Sequence, residues 1–120
     1  MRTKEFNDVL EYQIDLCKSK LVEKAQEYAT HDRLHNFKVA ASLQGRTWIE
    51  ALAGMMAKHT VSIYDLCKET CEVPLHIWEE KITDHINYLI LLKAVILEGK
   101  VCRHKEISNL SDALPMGNDG

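Results

Sequence analysis

The amino-acid sequence predicts an all-α fold, a bundle of four to five helices, on three observations. Apolar residues recur at i, i+3 and i+4 along most of the chain, and no segment alternates as a strand would. Five Gly and two Pro in 120 residues are too few for the turns of an all-β design. The breaks between periodic segments hold the residues that start and stop helices. At this length one domain is expected, with residues 1–105 as the helical unit and 106–120 as a polar, disordered tail.

Thr3 is placed to cap a first helix reaching about Tyr28, with Phe6, Val9, Leu10, Cys17 and Leu21 at helical spacing on an inward face. Asp32 is expected to cap a short second helix that ends at Gly45. Thr47-Trp48-Ile49-Glu50 reads as a capping box, so a third helix should run from Trp48 to about Lys68. Its apolar stripe is Trp48, Leu52, Met55, Met56, Ile63 and Leu66. Val73-Pro74 opens a fourth helix, since Pro is tolerated in a first turn, and Gly99 is the expected stop after Leu97.

Composition excludes several function classes. Fifteen Lys and Arg against 18 Asp and Glu give a net charge of −3, which rules out a broad basic grip on nucleic acid. No stretch reaches the roughly 18 apolar residues of a membrane span, and the N-terminus lacks the apolar core of a secretion signal. A cytoplasmic chain with reduced thiols is therefore expected. Cys67-x-x-x-Cys71, with Cys17 and Cys102 elsewhere, lacks the paired knuckles of a zinc site. There is no P-loop, dinucleotide fingerprint or zinc-protease motif.

Helix phasing carries the chemistry. Lys20, Lys24 and Glu27 fall on the same side of the first helix as its apolar stripe, so that face either enters a polar cavity or leaves the core. His59 sits within the apolar stripe of the third helix, read as a satisfied core histidine or as a ligand-facing one. On the fourth helix Glu80, Asp84 and Asn87 share one face that continues as Leu91, Ala94 and Val95. From Leu89 to Leu97 this helix is apolar nearly all round, which predicts burial against a partner subunit and an obligate homo-oligomer, a homodimer or a larger assembly.

Two carboxylates one turn apart can hold a hard cation such as Mg²⁺ if a third ligand joins them, and Glu27, or Glu23 one turn before it, is the natural candidate. Lys20, Lys24, Arg33 and Lys58 could meet phosphate charge. Asn36 and Asn87 supply amides for base or ribose, and Tyr28, Phe37 and Tyr88 supply stacking faces. His31 and His59 are candidates for moving a proton.

Lys24-Ala25-Gln26-Glu27-Tyr28 followed by His31-Asp32-Arg33-Leu34-His35-Asn36-Phe37 resembles the opening block of a group of small all-α proteins found in phages and their hosts. Met56-Ala57-Lys58-His59-Thr60-Val61-Ser62 resembles a later helix of the group, and the segment from Trp78 to Tyr88, with Glu80 and Asp84, resembles its acidic helix. These proteins are similar to the MazG-like nucleotide pyrophosphohydrolases and to helical domains associated with nucleotide modification. The resemblance covers about residues 20–97. It implies that Glu27, Glu80 and Asp84 hold Mg²⁺, with Glu80 and Asp84 as catalytic groups, and that Lys58 and Asn87 contact the nucleotide. The group's acidic motifs place their carboxylates three apart, whereas Glu80 and Asp84 stand four apart, as do Glu23 and Glu27.

Two functions follow as expectations. One is Mg²⁺-dependent cleavage of a nucleoside triphosphate to release pyrophosphate. The other is a phage protein that sequesters a nucleotide signal of host defence without turnover, motivated by the loosened acidic spacing and the several cations. On either expectation Lys24, His31, Arg33, Asn36, Lys58, His59, Asn87 and Tyr88 are the candidate nucleotide-binding residues. A helical oligomer with no small-molecule site is the plain alternative.

Overall fold

The computed structural model describes the backbone of residues 1–27 and 31–110 and the side chains of residues 1–26 and 31–99. Among the described residues there are four helices and no strands: α1 (Thr3–Glu27), α2 (His35–Gln44), α3 (Trp48–Lys68) and α4 (Leu75–Leu110).

Local chemistry fixes most boundaries. Thr47 Oγ1 accepts the Glu50 amide at 3.1 Å while Glu50 Oε1 accepts the Thr47 amide at 3.1 Å, so the capping box starts α3 where the sequence places it. Gly45 ends α2 with φ 63°, a left-handed conformation that glycine adopts without steric cost. Asp32 does not cap α2 itself. Its Oδ1 accepts the Leu34 amide at 3.0 Å, closing a turn that precedes the helix, and α2 starts two residues later than expected, at His35 after the cap position Leu34.

The expected stop at Gly99 is corrected. Gly99 keeps a helical φ, and α4 runs on to Leu110, across the expected boundary at residue 106. A mid-helix glycine costs only about 1 kcal/mol, and no proline follows until Pro115 to force a break. The remainder of the expected tail, 111–120, lies outside the described residues.

Leu34, Phe37, Leu52 and Val95 form the core, with Trp48, Met55, Tyr88 and Leu91 packed round it. The pairings Leu52 with Val95 and His59 with Tyr88 show that α3 runs antiparallel to α4. By contrast α1 is parallel to α4: Gln13 Nε2 donates to Thr83 Oγ1 at 2.9 Å, and four residues on, Asn87 Nδ2 donates to the Cys17 carbonyl at 3.4 Å. Lys38 ties α2 to its neighbours. Its ammonium donates to Asp32 Oδ2 at 2.6 Å and to Glu98 Oε1 at 2.7 Å, and lies 4.9 Å from the Trp48 ring centroid. These contacts raise the Lys38 pKa and lower that of Asp32.

One face differs from expectation. Phe6, Val9 and Leu10 are exposed, and Cys17 is the buried member of the α1 stripe. The reason is geometric: among the described helices α1 packs along α4 alone, so its apolar side is only partly covered. Cys17, Cys67 and Cys71 are free thiols. Among the described residues no helix is long and apolar enough to cross a membrane.

Candidate functional site

The inward face of α4 positions the site. Asp84, Asn87 and Leu91 project at one-turn spacing toward the gap between α1 and the turn before α2. There they line a cleft of about 110 Å³ with Lys20, Leu21 and Lys24 of α1, Arg33, Phe37 and Tyr88. Arg33 Nη2 donates to the Leu21 carbonyl at 3.3 Å, which fixes the guanidinium at the C-terminal end of α1. Among the described residues three cationic side chains and one carboxylate thus face one cleft, on a chain whose net charge is −3.

The floor of the cleft is Asn87, 5% exposed. A carbonyl oxygen accepts only, so its contact with Cys17 settles which end of the carboxamide is the NH₂. Asn87 Oδ1 is buried and accepts no hydrogen bond from the described residues. A buried acceptor left in that state costs about 1–3 kcal/mol, so a donor reaching it would be bound favourably.

A second, wider cavity of about 270 Å³ adjoins the cleft, sharing Lys20 and Asp84 as a common wall. Glu23, His76, Glu79 and Glu80 line it, making it acidic where the cleft is basic. Glu79 also raises the pKa of the Tyr12 hydroxyl beside it.

The structure brings together Lys24, Arg33, Asp84, Asn87 and Tyr88 of the candidate residues, and puts Glu80 in the adjoining cavity. Others fall elsewhere. His31 and Asn36 are exposed and line neither cavity; Lys58 is exposed on α3. His59 stands behind the site, half-buried, its ring 4.7 Å from that of Tyr88 and tilted by 35°. Tyr88 in turn meets Phe37 edge-on at 6.4 Å, so His59 supports an aromatic wall. The Glu27 side chain and the whole of Tyr28 lie outside the described residues.

The magnesium expectation meets a partial donor set. Glu80 is exposed and Asp84 half-buried. Among the described residues no three His, Cys, Asp or Glu side chains come close enough together to hold a metal ion. The described carboxylates by themselves do not complete a site.

Sequence reasoning missed His76 and Glu79 as cavity residues. The signal was available: stepping back four from Glu80 gives His76, and stepping back four from Thr83 gives Glu79.

Burial lowers the pKa of His59, outweighing the attraction of Asp84, while Lys58, Lys81 and His85 lower it further. The folded state therefore resists a proton that the unfolded chain accepts. Stability is expected to be undiminished above the unfolded value of about 6.5 and to fall as pH drops below it toward the folded value. Urea midpoints at pH 7.5 and 5.5 check this at roughly one unit either side of that pKa. His59→Gln should lose less between them than the parent chain does.

No protein-family model, curated protein or solved structure matches this chain.

Proposed function

We propose that the cleft between α1 and α4 binds a phosphorylated small molecule of the nucleotide class and holds it without turnover. The observation that carries this reading is the charge inversion: Lys20, Lys24 and Arg33 converge on one cleft of an acidic chain. Anions are what such a cleft selects, and the low-dielectric wall of Phe37, Tyr88 and Leu91 strengthens the attraction.

Size and polarity refine the ligand. A cleft of about 110 Å³ takes a phosphate or a single ring, not a whole nucleotide. The remainder extends past Lys20 and Asp84 into the acidic cavity, where carboxylates repel further phosphate but accept hydroxyl and amino donors. Phosphate at the basic end and sugar or base at the acidic end is the arrangement that satisfies both. The unpartnered Asn87 Oδ1 calls for one such donor beside the cleft. Recognition of an anion together with O–H or N–H donors describes a nucleotide better than inorganic phosphate.

A second reading, pyrophosphohydrolysis as in the MazG-like enzymes, is favoured by one observation: Glu80 and Asp84 stand one turn apart on the wall of the cavity that the ligand would enter. The experiment is incubation with Mg²⁺ and a panel of canonical and cyclic nucleotides, followed by chromatography of native and heat-denatured samples. Ligand depleted from solution and recovered intact after heating is the expected result. A new product that disappears in the Glu80→Ala/Asp84→Ala variant would replace binding by hydrolysis. No depletion and no product would remove both readings.

A further inference from the structure

We propose that the groove between α1 and α4 is a self-association surface, in which α1 of a second copy of this chain lies antiparallel to α1. The proposal is independent of the ligand reading, because Leu10 and Ile14, on which it turns, do not line the cleft.

The groove is apolar and open. It measures about 340 Å³ and is lined chiefly by Leu10, Ile14, Cys17, Leu21, Ile86 and Ile90. Leu10 is 48%, Ile14 44% and Ile90 46% exposed, although each sits beside apolar neighbours on the same face. Phe6 extends the face toward the N-terminus and Leu97 toward the far end of α4, both more than half exposed. A contiguous apolar patch of this kind is what soluble chains cover.

Its dimensions match a dimer interface. At 1.5 Å per residue the 25 residues of α1 span about 37 Å, and two parallel helices side by side present a face about 20 Å wide. That is about 700 Å², close to the roughly 800 Å² per partner of a stable protein–protein interface.

The sequence pattern names the occupant. Phe6, Leu10, Ile14, Cys17 and Leu21 repeat at steps of four, four, three and four, the seam of two packed helices. Residues 8–15 hold three acids and no base, whereas residues 18–24 hold three lysines and one glutamate. Lys20 and Lys24 turn toward the cleft, which leaves Lys18 on the rim of the groove. Glu11 and Lys18 are seven apart and so lie on the same side of the apolar seam. An antiparallel two-fold axis near Ile14 brings like sides together and sets Glu11 of each copy against Lys18 of the other. The same chain therefore carries both halves of the complement, as an isologous interface requires.

Sedimentation velocity of the full chain across the micromolar range tests this. The expected mass is twice 13.8 kDa, and a monomer at every concentration overturns the proposal. Ile14→Glu buries a charge in the seam and should weaken association about a hundredfold while leaving the far-ultraviolet helix signal unchanged. A dimer of unaltered strength in that variant means that another face is used. A charge exchange on the exposed rim, which leaves the apolar residues of the groove in place, stands beside it. Glu11→Lys should weaken the dimer about tenfold by opposing lysines, and Glu11→Lys/Lys18→Glu should restore it. Absence of rescue overturns the antiparallel arrangement.

Discussion

The paired substitution Lys20→Met/Lys24→Met is expected to weaken nucleotide binding about a hundredfold, since each charge-assisted contact contributes about 1.5–3 kcal/mol and each 1.4 kcal/mol is tenfold. The low end of that range applies because Lys24 is exposed and Lys20 only half-buried. Methionine keeps an unbranched apolar stem along the cleft wall, so the change isolates the ammonium charges. Titration calorimetry with the nucleotide that the panel identifies measures the loss, and the thermal midpoint of the unliganded variant reports whether the fold is retained. Lys58→Met is the control. Lys58 is exposed on α3 and lines neither cavity, so its removal should change affinity less than about threefold, as for a distant surface charge. Equal losses from Lys58→Met and the cleft pair would place the anion site somewhere other than this cleft.

Leu52→Ala is expected to lower the free energy of unfolding by about 2–5 kcal/mol, the range for a buried leucine whose cavity cannot fully collapse. Leu52 has 0% exposure and packs among Leu34, Phe37 and Val95, so one side chain joins α3, α2, the turn before α2, and α4. Against a typical stability of roughly 5–15 kcal/mol, that loss is large enough to leave part of the population unfolded at growth temperature. Urea denaturation with an unchanged slope against denaturant would identify a loss of packing. A loss below about 1 kcal/mol would show that the neighbouring side chains move in to fill the space.

How much of this was legible depended on whether the information is local. The start of α3 and the end of α2 were, because a capping box and a left-handed glycine are short-range chemistry: Thr47 with Glu50, and Gly45. The inward face of α4 was too, since Asn87, Leu91 and Val95 repeat at helical spacing and all turn toward neighbouring helices. Gly99 misled because a glycine signals a stop only when the following chain favours leaving the helix, and here the helix continues. The exposure of Phe6, Val9 and Leu10 was hidden for a different reason. Periodicity identifies an apolar face, but the number of helices that cover it is a property of the assembly.

The candidate site divides in the same way. The carboxamide and aromatic positions of α4 were readable from one helix, and Lys20 and Lys24 from the charged turns of α1. Their convergence was not, because it requires α1 to run parallel to α4. Two parallel helices cannot be joined by a short turn, so α2 and α3 form the return path, and no spacing within α1 or α4 encodes that route. Lys58 and Asn36 illustrate the cost: their chemistry suited a phosphate or a base, but their helices turn them to the outside.

The packing of α1 along α4 has a consequence for how the cleft would hold a ligand. Among the described residues α2, α3 and α4 share a core, whereas α1 packs along α4 and receives the Arg33 contact to Leu21. Such an element can detach at a smaller free-energy cost than global unfolding. The cleft's basic wall belongs to that element, and its carboxamide floor to the part that stays folded. On the binding reading, an occupant that bridges Lys20 and Asn87 would tie α1 to the part that stays folded and so oppose its detachment.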